Sequence, residues 1–259
     1  MPHMLKTELR RTGIATTSII AITFCIVLMM LWGRAYLLPH AYTYHEAEDA
    51  QGIKIHALVV KPESIELRAA ERPLNEYHLY GMNGGFFYED AVLSIAVNND
   101  VPVKGAVREF GSGWFNAKYK RGTLVWDEVA GRFSIQVVSS ADEIDVRDRG
   151  QYFAQGGVSM SLQDEANWST TMEQEHLPAP DERRLRSGLV YDDSGLLWLI
   201  VTPTHCTAEE FRDAIQNTIA PGSKKEGIFL DGDGSSQLNS AEIKIRGDSR
   251  NLQQIIAIK

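Results

Sequence analysis

The sequence predicts an α+β fold, mostly strands in a mixed sheet with few helices, as a single exported domain behind an N-terminal transmembrane helix. Three observations predict it. From Ile53 onward, short apolar runs recur between Gly, Pro, Asn and Asp clusters, as strands do between turns. Only Thr207–Ala220 carries the caps and spacing of a soluble helix. Ile14–Trp32, IATTSIIAITFCIVLMMLW, contains no charged residue and is apolar on every face.

At about 1.5 Å per residue, a helix over 14–32 covers close to the ~30 Å of a bilayer's hydrocarbon core. Lys6, Arg10 and Arg11 precede it with Glu8 as the sole acid, so the N-terminus is expected in the cytoplasm and the remainder outside. A retained anchor is favoured over a cleaved signal peptide, because the run exceeds a usual signal h-region and no small-x-small site follows. The expected organisation is a cytoplasmic N-terminus (1–12), a signal anchor (13–33), a juxtamembrane spacer (34–51) and one domain (52–259). The location is thus the cell membrane, single-pass, with an extracytoplasmic domain.

The 259 residues are 44% hydrophobic, enough for one large core plus a short appendage. A net charge of -8 argues against nucleic acid as a partner, since phosphate neutralisation needs clustered Lys and Arg. Cys25 lies in the apolar run and Cys206 stands alone, so no disulfide framework is implied.

Ile53–Val60 alternates and then runs apolar into Pro62, as a strand entering a sheet does, and Ile65–Ala69 reads as another strand. Asn83-Gly84-Gly85 is a turn signal with an aromatic exit, Phe86-Phe87-Tyr88. Val92–Val97 and Val101–Val107 flank Asn98-Asn99-Asp100, a hairpin. Thr123–Trp126 and Arg132–Val138 continue the strands, while Ala141–Arg147 fits a strand or a turn of helix equally. Gly156-Gly157 is a second double glycine. Gln163–Arg184, with Pro178, Pro180, Trp168 and His176, is polar and aperiodic: a lid or a disordered surface excursion. Leu189–Tyr191 and Leu196–Val201 form a hairpin about Asp192-Asp193-Ser194-Gly195, and Leu252–Ile258 closes the chain as a strand. Thr207 and Glu210 supply a capping box, with Phe211, Ala214, Ile215 and Ile219 at helical spacing.

Chemistry concentrates in Gly227–Leu238, GIFLDGDGSSQL. A buried strand, Gly227–Leu230, ends in Asp231, Gly232, Asp233, Gly234, Ser235 and Ser236, so a rigid scaffold delivers polar groups to a tip. The glycines allow backbone N–H groups to converge on an anion.

Five pieces occur in a fixed order: Met82–Phe87 (MNGGFF), Gln155-Gly156-Gly157, Arg186-Ser187-Gly188-Leu189, the helix, and Leu230–Leu238 (LDGDGSSQL). Arg250 then leads the last strand. In this the chain resembles the phosphodiester glycosidase family, which includes an enzyme that removes N-acetylglucosamine from a sugar-phosphate diester. The likeness covers roughly Ile53 to Lys259. Five positions depart from the family pattern: Asp233 stands for a glycine, Val158 for a proline, Ser187-Gly188 for Thr-Ala, and Gln254 for an asparagine.

The resemblance implies a hydrolase cleaving a sugar from a glycosyl-1-phosphodiester of a surface glycan or exopolysaccharide; no cofactor is expected, calcium being the alternative. In that frame Asp231 stabilises positive charge on the sugar ring, and Arg186 binds the phosphate bidentately. Asn83 binds a hydroxyl or phosphate oxygen. Gly84, Gly85, Phe86, Gly156, Gly157, Gly232, Gly234, Ser235 and Ser236 line the substrate. Asp233 close to Asp231 is expected to raise the pair's apparent pKa and supply an acid/base partner. Two other readings stand beside this one. Arg186 pairing with Asp231 is a purely structural salt bridge, and a silent sugar binder needs no catalytic group. Asp231, Asp233, Ser235, Leu238, Asn239 and Glu242 also fall at positions 1, 3, 5, 8, 9 and 12 of an EF-hand-like loop. That spacing makes a calcium-stabilised surface protein the alternative, although Ser236 replaces the glycine at position 6 and the flanks read as strands.

Overall fold

The computed structural model describes residues 22–29 and 40–259. Two compact units are distinguished, Met1–His40 and Ala41–Lys259. In the first, residues 22–29 are helical. No helix among the described residues is long and apolar enough to cross a membrane. Most of the expected span, 14–32, lies outside those residues.

The second unit starts with β1 (Tyr42–Glu48), β2 (Lys54–Val60), β3 (Ile65–Ala69), β4 (Gly81–Asn83), β5 (Phe87–Tyr88) and β6 (Ala91–Val92). There follow β7 (Ala96–Asn98), β8 (Val101–Pro102), β9 (Arg121–Asp127), β10 (Arg132–Val138), β11 (Tyr152–Gly156) and β12 (Val158–Ser159). Helix α1 (Trp168–Gln174) precedes β13 (Arg184–Asp192) and β14 (Leu197–Cys206), and α2 (Ala208–Thr218) precedes β15 (Lys225–Phe229). The chain ends with β16 (Leu238–Asn239), β17 (Lys244–Ile245) and β18 (Gln254–Ile258).

These strands form a six-stranded sheet (β1-β2-β14-β13-β15-β12), two five-stranded sheets (β10-β9-β11-β7-β8 and β17-β16-β4-β18-β3) and the β5-β6 hairpin. Every strand pairing is antiparallel, so the α+β class holds while the expected mixed sheet does not. Hairpins and short returns connect neighbours, and antiparallel pairing needs no more than that. Tyr42–Glu48, expected in the spacer, pairs along its whole length with β2 as the edge of the large sheet. Its alternation, YTYHEAE, is that of an edge strand with one wet face.

The large sheet is buried on both faces. Ile55, Ala57, Val190, Ile200 and Phe229 pack against Phe211, Ala214 and Ile215 of α2. Leu58, Val60, Leu189, Leu199 and Ile228 face the other way, toward Leu124, Met82 and Ile256 of the two smaller sheets. Period-two alternation therefore splits each central strand between two cores, which explains why these strands read as continuous apolar runs. Helix α2 has the capping box predicted for it: Thr207 Oγ1 accepts from Glu210 N–H at 3.1 Å, and Thr207 N–H donates to Glu210 at 2.8 Å. Ala141–Glu143 forms a short 3-10 turn, so this segment is a turn of helix and not a strand.

Candidate active site

The antiparallel register fixes the site. Gly188 of β13 lies opposite Phe229 of β15, the last pair of that ladder, so continuing the register would bring Arg186 opposite Asp231. Leu230 N–H donates to Ser187 carbonyl at 2.9 Å, which extends the pairing past the end of β15. Residues opposite one another share a face, so Arg186 and Asp231 both open into one cleft of about 100 Å³. Phe86, Leu177, Pro178, Ala179, Arg184, Leu185, Phe229, Leu230, Gly232, Asp233 and Arg250 complete its lining.

Asn83 is 1% exposed and its amide is fully engaged. Nδ2 donates to the carbonyls of Asp231 (2.9 Å) and Gly84 (3.1 Å), while Oδ1 accepts from Ser187 Oγ (3.0 Å) and Gln237 N–H (3.1 Å). A carboxamide with two donors and two lone pairs so used has none left for a ligand. Asn83 is therefore a positioning residue: it ties β4, β13 and the Asp231 loop together.

The double glycines also serve the scaffold, contrary to the expectation that they line the substrate. Gly84 N–H donates to the carbonyl of Gln254 (3.0 Å), and Gly85 N–H donates to its Oε1 (2.7 Å). A Cβ on Gly84 would lie 1.6 Å from that Oε1. The buried Gln254 carbonyl and carboxamide thus take up both backbone donors of this double glycine. Gly156 and Gly157 N–H groups donate to the carbonyls of Ile95 and Gly122, and a Cβ on either would meet Asn116 Oδ1 or Phe229 carbonyl at 2.2 Å. Gly234 is packed on the carboxylate of Asp248.

Arg186 is 6% exposed. Its guanidinium donates to the carbonyls of Ala179 (2.7 Å), Glu182 (2.8 Å) and Cys206 (3.3 Å), and at 3.5 Å to those of Pro178 and Pro180. Burial pulls its pKa down, and Asp233 and Glu182 offset that only in part. No carboxylate among the described residues comes within ion-pair distance of it, so the structural salt bridge with Asp231 is not formed.

Asp231 keeps part of its surface open to the cleft, yet burial raises its carboxyl to about 6. The fully buried Ser235 hydroxyl makes no hydrogen bond of good geometry, but lies close enough to favour the ionised form, as do Arg250 and Gly232 N–H. Asp233 pushes in the expected direction, but burial is the larger cause. Asp233 is itself ion-paired with Arg184 and adopts φ +51°. The expected acid/base pair is thereby reduced to one free carboxylate. Ser236 Oγ bonds Ser187 Oγ at 3.0 Å beneath the loop.

Arg184, Arg250, Asp248 and Gln254 were not predicted as site residues. Arg250 is held by Asp248 through contacts of 3.0 and 2.6 Å, and lowers the Asp231 pKa from across the cleft. Arg184 stands two residues from Arg186, and strand alternation would have found it. The segment 163–184 is ordered into α1 and a loop whose Leu177-Pro178-Ala179 forms one cleft wall. Trp168 on α1 is buried against Phe229, ring centroids 5.6 Å apart.

The EF-hand-like spacing does not close into a loop. Leu238–Asn239 is a strand paired with β4, Asn239 donates to Leu79 carbonyl, and Glu242 accepts from Tyr42 hydroxyl. Among the described residues no three His, Cys, Asp or Glu side chains gather as metal ligands.

This architecture matches that of the zebrafish N-acetylglucosamine-1-phosphodiester alpha-N-acetylglucosaminidase catalytic domain, auto-inhibited by its pro-peptide. The TM-score is 0.55 at 15% identity, over 84% of this chain and 81% of that one. The likeness is one of fold. A hypothetical protein from Synechocystis also aligns, with TM-score 0.51 and 10% identity, over 84% of this chain and 62% of that one. No family model matches the sequence, and no curated protein does.

Proposed function

We propose that this chain is a glycosidase that hydrolyses the bond between a sugar's anomeric carbon and a phosphodiester. We further propose that residues 14–32 anchor it with the domain outside the membrane, where a surface glycan is the substrate. The observation that carries the activity is Arg186: a buried guanidinium without a carboxylate partner, in the same cleft as a free carboxylate. A buried charge is costly until it is paired. The anionic phosphodiester supplies the missing counter-charge.

In this reading the phosphate lies against Arg186, with Arg184 and Arg250 alongside, and the anomeric carbon faces Asp231. The C1–O bond breaks and its electron pair leaves with the phosphate monoester, whose growing charge the arginines balance. Ring charge develops beside the Asp231 carboxylate. Water adds to C1 and gives its proton to Asp231, which returns it to solvent. A base that titrates at about 6 is ionised at neutral pH and still accepts a proton readily. The phosphate monoester leaves without protonation, so one free carboxylate suffices. The fold shared with a phosphodiester glycosidase domain supports the same reading.

The test is the full chain in detergent with glycosyl-1-phosphodiesters, measuring free sugar and phosphate monoester in equal amounts. Turnover lost in Asp231→Asn and Arg186→Met is the expected result. Affinity for the diester with no product makes the protein a sugar binder instead.

A further inference from the structure

We propose that residues 178–182 form a strap over the cleft, latched by Arg186 and released when an anion takes the guanidinium. This rests on Arg186 being the phosphate-binding group. Arg186 Nη2 donates to the carbonyls of Ala179 (2.7 Å) and Glu182 (2.8 Å). A guanidinium grips a phosphate with two prongs, either Nε with Nη2 or Nη1 with Nη2. Both grips need an Nη2 hydrogen, and both of those hydrogens are spent on the strap. A phosphate held bidentately must therefore displace Ala179 or Glu182.

The strap is built to let go. Its near end is fixed: Leu177 is buried in the core beneath α2, and Arg121 donates to the carbonyls of Glu175 (2.9 Å) and His176 (3.0 Å). From Pro178 to Arg183 no side chain is buried. Besides Arg186, the strap is tied by Ala208 N–H, which donates to the Pro180 carbonyl at 2.8 Å, and by Arg184, which pairs with the Glu182 carboxylate at 2.7 Å. A segment with polar ties and no buried apolar side chain opens far more readily than the core beside it. Arg184 lines the cleft as well, so an anion that draws on both arginines loosens two ties at once.

Backbone strain points the same way. Ala179 adopts φ +46° directly before Pro180. A residue with a Cβ seldom takes that left-handed conformation, and a following proline disfavours the helical region further. Such a conformation persists while surrounding contacts impose it, and the contact on the Ala179 carbonyl is the Arg186 latch. The cleft of about 100 Å³ falls well short of the roughly 300 Å³ at which ligand pockets begin. Phe229 and Leu230, on the opposite side of the loop wall, belong to a buried strand and its continuation. Leu177, Pro178 and Ala179 form the wall that can move.

Opening of the strap and anion affinity are linked, so a change in one must appear in the other by the same factor. The experiment follows trypsin cleavage after the exposed Arg183, relative to cleavage after the exposed Arg147, by mass spectrometry on the full chain in detergent. Inorganic phosphate is the probe, and its affinity is measured by calorimetry. Saturating phosphate is expected to speed cleavage after Arg183 about tenfold, the ratio between a charge-assisted and a neutral hydrogen bond. Arg186→Met is cut rapidly with or without phosphate. Ala179→Gly, which takes the left-handed conformation without strain, tightens the latch: cleavage slows by about two- to fivefold and phosphate binds more weakly by the same factor. This variant leaves the latch itself in place and decides the matter if Arg186→Met does not fold. Phosphate binding that leaves cleavage unchanged or slows it overturns the strap while the anion site stands. So does Ala179→Gly changing neither quantity, or one without the other. No heat with phosphate, or heat that Arg186→Met leaves intact, overturns both.

Discussion

Replacing Asp231 by asparagine should abolish turnover and at the same time make the protein more stable at neutral pH. The side chain titrates at about 6 in the fold, because burial disfavours its charge, against 3.8 in its absence. A carboxyl whose native pKa is raised binds more protons folded than unfolded, so its contribution to stability is fully present below pH 3.8. It falls as pH rises through about 6 and is level above that. Each tenfold change in the proton equilibrium corresponds to about 1.4 kcal/mol, so the ionised Asp231 costs the native state up to about 3 kcal/mol above pH 7. Asparagine keeps an acceptor for Ser235 and Gly232 N–H and carries no charge. Urea melts of wild type and Asp231→Asn between pH 4 and pH 8 measure the difference, and other titrating groups cancel in the comparison. The variant should match wild type near pH 4 and exceed it by about 2–3 kcal/mol at pH 8. A difference that does not change with pH, or a variant less stable at pH 8, refutes burial as the cause of the raised pKa.

On the assigned roles, kcat/KM should rise with pH through about 6 to a plateau, since the base works ionised; a profile falling over that range would make Asp231 an acid. Asn83→Ala should cost about 2–4 kcal/mol in a urea melt, because four buried hydrogen bonds lose a partner. Gly84→Ala should destabilise by about 1–3 kcal/mol through overlap with Gln254, and a double-mutant cycle with Gln254→Ala should show positive coupling, which an open anion-binding turn would not. Asp233→Gly should be tolerated within about 1 kcal/mol, since φ +51° suits glycine, while the acid limb of the rate profile moves slightly down.

The frame of the site was legible because it rests on local signals. The Thr207–Glu210 box starts α2, and the apolar run Gly227–Leu230 stops at Asp231 in a strand end lining a cleft. Three of the motifs meet in space: Asn83 donates to the Asp231 carbonyl, and Arg186 and Asp231 line one cleft. What each residue does was less legible, because hydrogen-bond saturation is a tertiary property. A sequence shows that Asn83 can donate and accept, but not that Ser187, Gln237, Gly84 and Asp231 already claim those valences. It shows two double glycines, which suit an anion and a close packing contact equally, and only the position of Gln254 and Phe229 decides between them. The loop at 175–182 read as unstructured because its order comes from two buried arginines gripping its carbonyls, a signal without periodicity.

Charge balance explains why Asp233 and Arg186 differ so sharply in what they do. Three arginines and two aspartates line the cleft. Arg184 is paired with Asp233 and with Glu182 at 2.7 Å, and Arg250 is chelated by Asp248. Those pairs are partly exposed, so each contributes little to stability. Their effect is to leave one cation and one anion unmatched: Arg186, satisfied only by neutral carbonyls, and Asp231, satisfied only by weak donors. Left alone, the two would be expected to pair with each other across the cleft they line. The carbonyls of 179, 182 and 206 hold the guanidinium back from that contact. A site prepared in this way favours a ligand that is negative where it meets Arg186 and becomes positive where it meets Asp231. A glycosyl phosphodiester in the act of losing its phosphate has that distribution of charge, and under the proposed function the contribution of Asp233 is to engage Arg184.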